Sequence, residues 1–158
     1  MSFSTLVRKD LILLDIEAAD NFEALTYMST VLLEKGYVLP SFERAILERE
    51  RLHPSGLPME GHKIAIPHTN AEHVVNSALL FARLKRPVVF KCMGDPGISF
   101  ELRLISMFAL KEAKKIGDLL ESLINVYRNN AALETILNAE SEEEVYEILK
   151  TNISKEEV

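Results

Sequence analysis

Apolar positions recur along this chain with two different periods, and each change of period marks a new element. After Asp20, with Glu23 three residues on, Phe22, Leu25, Met28 and Leu32 follow at helical spacing, and Gly36 stands where such a helix closes. A second helix is predicted from Ser41 through Ala45, Ile46 and Arg49 towards Leu52. The next six residues, His53-Pro54-Ser55-Gly56-Leu57-Pro58, are a loop by their proline and glycine content. Residues 11–14, 63–66, 77–83, 88–91 and 102–109 are short apolar runs and read as strands, with turns at Lys85-Arg86-Pro87 and Gly94-Asp95-Pro96-Gly97. The run 102–109 is nearly all apolar after Arg103, as expected for a central strand covered on both faces.

The last third is helical in pattern. Ile116, Leu119, Leu120, Leu123, Ile124 and Tyr127 form one apolar stripe, and Ala132, Leu133, Ile136 and Leu137 form a shorter one. Ser141 with Glu144 is a capping box that opens a last helix through Val145, Ile148 and Leu149. Helices on either side of a strand-rich centre imply a sheet covered by helical layers.

Composition narrows the function. At 158 residues the chain holds one domain with a real core, and 47% hydrophobic with 27% charged residues is ordinary for a soluble globular protein. No apolar run reaches the length of a membrane span, and the N-terminus lacks the basic-then-apolar order of a signal peptide. Cys92 is the single cysteine, so no internal disulfide forms and a reducing, cytoplasmic setting is expected. The net charge is −6, of which residues 140–158 carry −5 (seven acidic, two basic). No basic stripe with interleaved aromatics occurs, so nucleic acid is not an expected partner. The only chemistry-bearing cluster of histidines, at 62, 68 and 73, matches no zinc-binding spacing, so neither a metal nor a cofactor is expected.

The stretch Gly61-His62-Lys63-Ile64-Ala65-Ile66-Pro67-His68-Thr69 carries the functional signal. Pro67 fixes its own φ and biases Ile66 to extended geometry, so the short strand stops and His68 is delivered from a rigid backbone to the rim of the fold. An imidazole titrates near neutrality and offers a neutral nucleophilic nitrogen. His68 is therefore suited to accept a group from one partner and hand it to another. His53, His62 and His73 read as surface loop residues, and Cys92 as a small apolar filler at a strand end.

Ile64-Ala65-Ile66-Pro67-His68-Thr69, preceded by Arg49-Glu50 and Pro54-Ser55-Gly56, resembles the enzyme IIA components of the bacterial sugar phosphotransferase system, fructose–mannitol type, and most of all the galactitol branch. The similarity of layout spans residues 6–152 and leaves 153–158 as a charged tail. The resemblance implies an α/β fold: a three-layer sandwich with a central mixed sheet of about five strands flanked by helices. It implies a phosphotransferase whose His68 takes phosphate on Nε2 from the histidine phosphocarrier protein. His68 then passes it to a cysteine of a cognate IIB component, and IIB phosphorylates a sugar alcohol such as galactitol moving through the IIC membrane permease.

Phosphoryl transfer asks mainly for in-line positioning and for charge to meet the equatorial oxygens. Arg49 would supply a bidentate donor, with Arg51 as its rival, and Thr69 and Ser55 would add hydrogen bonds. Mannitol- and fructose-type members usually carry a second histidine after the central strand. Here Lys115 falls near that place, which favours the galactitol-like branch. An alternative is a regulatory protein that uses the same phosphorylated histidine to switch binding to a partner. A blander reading is a binding domain whose histidine is unused.

Overall fold

The computed structural model describes residues 2–157. Its four-stranded mixed sheet has β1 (Ile12–Ile16), β2 (Ile64–Ala65), β3 (Ala78–Cys92) and β4 (Asp95–Ala109) in the spatial order β1-β3-β4-β2. β3 and β4 form a long antiparallel hairpin, and β1 and β2 join its two edges in parallel. The sequence reading divided β3 at Lys85-Arg86-Pro87. The strand instead runs through with a register shift between Arg83 and Val88, so the sheet has four strands where five runs were read. A bulge is where a sheet tolerates proline, which has no N–H to donate.

α1 (Asn21–Glu34) and α2 (Ser41–Leu52) precede β2, and α3 (Ile116–Tyr127), α4 (Asn130–Asn138) and α5 (Glu142–Glu156) follow β4. The expected caps are present. Asp20 accepts from the Glu23 N–H at 2.8 Å and Ser141 from the Glu144 N–H at 3.3 Å. Gly36 closes α1 at φ +82°, a conformation that costs a side-chain-bearing residue energy.

Alternation along the hairpin divides the interior in two. Leu79, Phe81, Leu104 and Phe108 face α3, α4 and α5, whereas Leu80, Ala82, Ile105 and Met107 face α1 and α2. Both sides of the sheet are thus buried, which explains why these strands read as continuous apolar runs. The three layers match the expected sandwich.

One polar group crosses this framework. Arg83, 5% exposed, donates from Nε and Nη2 to both oxygens of Asp15 at 3.0 and 2.9 Å, and from Nη1 to the Ile136 and Ala139 carbonyls at 2.9 and 2.7 Å. It ties the β1 edge, where Asp15 has φ +56°, to the carbonyl end of α4. A guanidinium suits such orphan carbonyls because it is permanently charged and carries five donors.

Candidate functional site

β2 is short because Pro67 cannot continue it, but its parallel register with β4 extends past its end. Ile64 lies opposite Leu104 and Ala65 opposite Ile105, and the Phe108 N–H donates to the Pro67 carbonyl at 3.2 Å. Continuing that register sets His68 beside Phe108. Their rings stack with centroids 4.6 Å apart and planes 12° from parallel.

The other face of the histidine's backbone is held by the loop after α2. The Ile66 N–H donates to the Ser55 carbonyl at 3.0 Å, and Nδ1–H of His68 donates to the Ile66 carbonyl at 3.0 Å. That bond fixes the tautomer and leaves the Nε2 lone pair free. Burial depresses the ring's basicity below the ordinary imidazole value, the Ile66 bond opposes this, and the charge of Arg49 depresses it further. The imidazole is therefore neutral at physiological pH, the form with a nucleophilic lone pair at Nε2.

The sequence reading placed His68 exposed on the rim. It is instead only 9% exposed, because the stack and the flanking loop cover most of the ring. Nε2 makes no hydrogen bond, yet Ser29 Oγ is the one fully buried side-chain polar atom without a partner among the described residues. Nε2 is thus not fully buried, and His68 lines a cleft of about 450 Å³. Arg49, Glu50, Leu52, His53, Ser55 and Met93 are among the residues that line this cleft with His68.

The expected phosphate-binding residues divide at this point. Arg49, half-buried at the end of α2, lines the cleft and makes no ion pair among the described residues. Arg51 points elsewhere, with its guanidinium over the Phe22 ring at 5.3 Å, beside a second cavity. Lys115 pairs with Glu112 at 3.5 Å and does not line the cleft. Thr69 is buried and likewise not part of its wall. Ser55 lines the cleft, but its hydroxyl proton and its N–H are both committed to Glu50 Oε1, at 3.1 and 3.2 Å. A phosphoryl oxygen needs a donor, so Ser55 acts here on the protein's own carboxylate.

Three neighbours were not legible from sequence. Phe108 becomes a partner of His68 only once β2 is paired with β4. His53, read as a surface loop residue, lines the cleft. The β3–β4 turn also reaches it through Gly56, whose N–H donates to the Lys91 carbonyl at 3.2 Å and whose carbonyl accepts from Met93 N–H at 2.7 Å. A Cβ on Gly56 would lie 2.7 Å from the Lys91 oxygen, so only glycine permits this approach. Glycine in a turn was the one available signal for that contact.

The family described as "Phosphoenolpyruvate-dependent sugar phosphotransferase system, EIIA 2" matches residues 5–152. The galactitol-specific EIIA component of Escherichia coli K12 is 29% identical over 122 residues, covering 77% of this chain and 81% of that protein. The crystal structure of IIA mannitol from Escherichia coli superimposes with a TM-score of 0.74 at 28% identity, over 90% of this chain and 97% of that one. The same enzyme's complex with phosphorylated IIB gives a TM-score of 0.73 at 28% identity, over 89% and 94%.

Proposed function

Because the chain belongs to the EIIA type 2 family of the phosphoenolpyruvate-dependent sugar phosphotransferase system, and so to its phosphoryl-transfer proteins, we propose that His68 is its phosphoryl acceptor. The observation that carries this is the ring's division of labour: Nδ1–H is held by Ile66, Nε2 is left free, and His68 lines a cleft with Arg49, which makes no ion pair among the described residues.

In the proposed cycle the donor is the histidine phosphocarrier protein. The Nε2 lone pair forms an N–P bond while the donor's own P–N electrons return to its imidazole. Phosphorylation leaves positive charge on the ring, and the Ile66 carbonyl stabilises it at Nδ1–H. Arg49 meets the equatorial oxygens with a planar pair of donors in a cleft where little water competes. A cysteine thiolate of a IIB component then attacks phosphorus, and the N–P electrons return to Nε2.

Leu52, 66% exposed on the cleft wall, supplies apolar surface for partners that must bring their reactive atoms to a recessed nitrogen. The galactitol-specific relative supports a sugar alcohol as the final acceptor. The mannitol-type complex with phosphorylated IIB supports a IIB protein as the next carrier. No helix among the described residues is long and apolar enough to cross a membrane, which is consistent with a cytoplasmic carrier feeding a separate IIC permease.

The test is reconstitution. With phosphoenolpyruvate, the system's kinase and the phosphocarrier, the protein takes up one acid-labile phosphoryl group, and His68→Ala takes up none. Adding a galactitol-type IIB then discharges it. A labelled His68→Ala protein would refute the assignment. Labelling that no IIB can discharge would favour the regulatory alternative.

A further inference from the structure

Glu50 is difficult to explain as a member of the cleft that is to hold a phosphoryl group. It is a carboxylate, it is only 5% exposed, and it sits near the carbonyl end of α2, where the helix dipole disfavours an anion. Burial accordingly pushes its pKa above the usual carboxylate range, with the Ser55 bonds and Arg49 opposing. Its charge repels the group that the cleft is proposed to accept. Among the described residues its side chain bonds only to Ser55.

Those bonds begin a chain that ends at the nucleophile. Glu50 Oε1 accepts from both Ser55 donors at 3.2 and 3.1 Å, and the Ser55 carbonyl accepts from Ile66 N–H at 3.0 Å. The Ile66 carbonyl in turn accepts from His68 Nδ1–H at 3.0 Å. Residues 50, 55, 66 and 68 come from a helix, a loop and a strand end; the Leu57 N–H bond to the Ile64 carbonyl at 2.9 Å also ties loop to strand, but this line of bonds is the one that runs from Glu50 to the His68 ring. We propose that Glu50 is the positioning residue of the site: by anchoring Ser55 it fixes the Ile66 carbonyl, and through it the tautomer and orientation of His68. This rests on His68 being the phosphoryl acceptor, and it assigns Glu50 no contact with the phosphoryl group.

Two conservative variants separate reach from charge. Glu50→Gln keeps an oxygen where Ser55 needs it and removes the charge. Glu50→Asp keeps the charge and withdraws the oxygen by one methylene. Imidazole nitrogen NMR of the unphosphorylated proteins reads the His68 tautomer, and initial rates of phosphoryl uptake read the consequence. Glu50→Gln is expected to keep a single Nδ1–H tautomer and a rate within about threefold of the parent, whereas Glu50→Asp populates both tautomers and slows about tenfold or more.

The proposal is overturned if Glu50→Asp keeps one tautomer and full rate, or if Glu50→Gln is impaired as much as Glu50→Asp. The tautomer readout needs no phosphoryl donor. Should the parent protein take up no phosphate while the tautomers still divide as expected, His68 as acceptor fails and Glu50 as its anchor stands.

Discussion

His68 and Phe108 lie ring on ring, 4.6 Å between centroids, and this stack sets both the burial of the proposed phosphoryl acceptor and the direction in which its free nitrogen faces. Phe108 is fully buried in β4, so the platform is as rigid as the core itself.

Replacing that platform separates orientation from stability. Phe108→Leu keeps an apolar side chain of similar reach but removes the flat face. Folding stability in urea is expected to fall by about 1 kcal/mol. Phosphoryl uptake is expected to slow about tenfold because the ring is no longer aligned with the incoming group. An unchanged uptake rate, measured where the variant is still folded, would show the stack to be packing alone.

Arg49 carries two effects that one variant can expose together. Arg49→Ala removes the proposed donor for the equatorial oxygens and is expected to cut the uptake rate about 10²-fold. It also removes the positive charge that depresses His68, so the ring should titrate at higher pH in an NMR titration. Arg49→Lys restores the charge but not the planar fork, and should recover the titration more fully than the rate.

Opposite pH dependences are expected from the two buried groups. The folded-state pKa of His68 lies below the ordinary 6.5, so between the two values the unfolded chain holds the extra proton. Its effect is to lower stability as pH falls from 6.5 to the folded value, and to leave it level beyond. The pKa of Glu50 lies above the ordinary 4.5, so between those values the folded chain holds the extra proton and stability rises as pH falls. Urea unfolding of His68→Gln over a pH series should lack the first slope, and of Glu50→Gln the second. Uptake by the parent protein should be lost towards acid at a lower pH than an ordinary imidazole would give, because burial holds the ring's pKa down.

Arg83 provides the contrast, a residue that holds the frame without entering the cleft. Arg83→Met leaves the Ile136 and Ala139 carbonyls and the Asp15 carboxylate without their donor. About 2–4 kcal/mol of stability should be lost in urea unfolding. Uptake measured where the variant is still folded should be unchanged. A slowed rate there would mean that the α4 side of the sheet couples to His68.

Local signals explain what the sequence revealed. The capped helices at Asp20 and Ser141 and the proline-terminated strand before His68 are written in neighbouring residues, and they stand where the pattern put them. Arg49 could be named because the Arg49-Glu50 pair at the end of a helix is part of the family resemblance, and it stands on the cleft wall with His68. What depends on long-range pairing was not legible. The β2–β4 register that brings Phe108 to His68 joins segments 40 residues apart. Lys85-Arg86-Pro87 looks like a turn because turn and bulge use the same residue types, and only the partner strand distinguishes them. Glu50 gave no local sign of burial, since its environment is built by the loop that folds back over it.

In the proposed cycle Nε2 of His68 receives the phosphoryl group while Nδ1–H remains on the Ile66 carbonyl. Phosphorus–nitrogen NMR of the phosphorylated, nitrogen-15-labelled protein reads this. One phosphorus coupled to Nε2 of His68, with Nδ1 still protonated, is the expected spectrum. Phosphorus on Nδ1, or on any other residue, would contradict it.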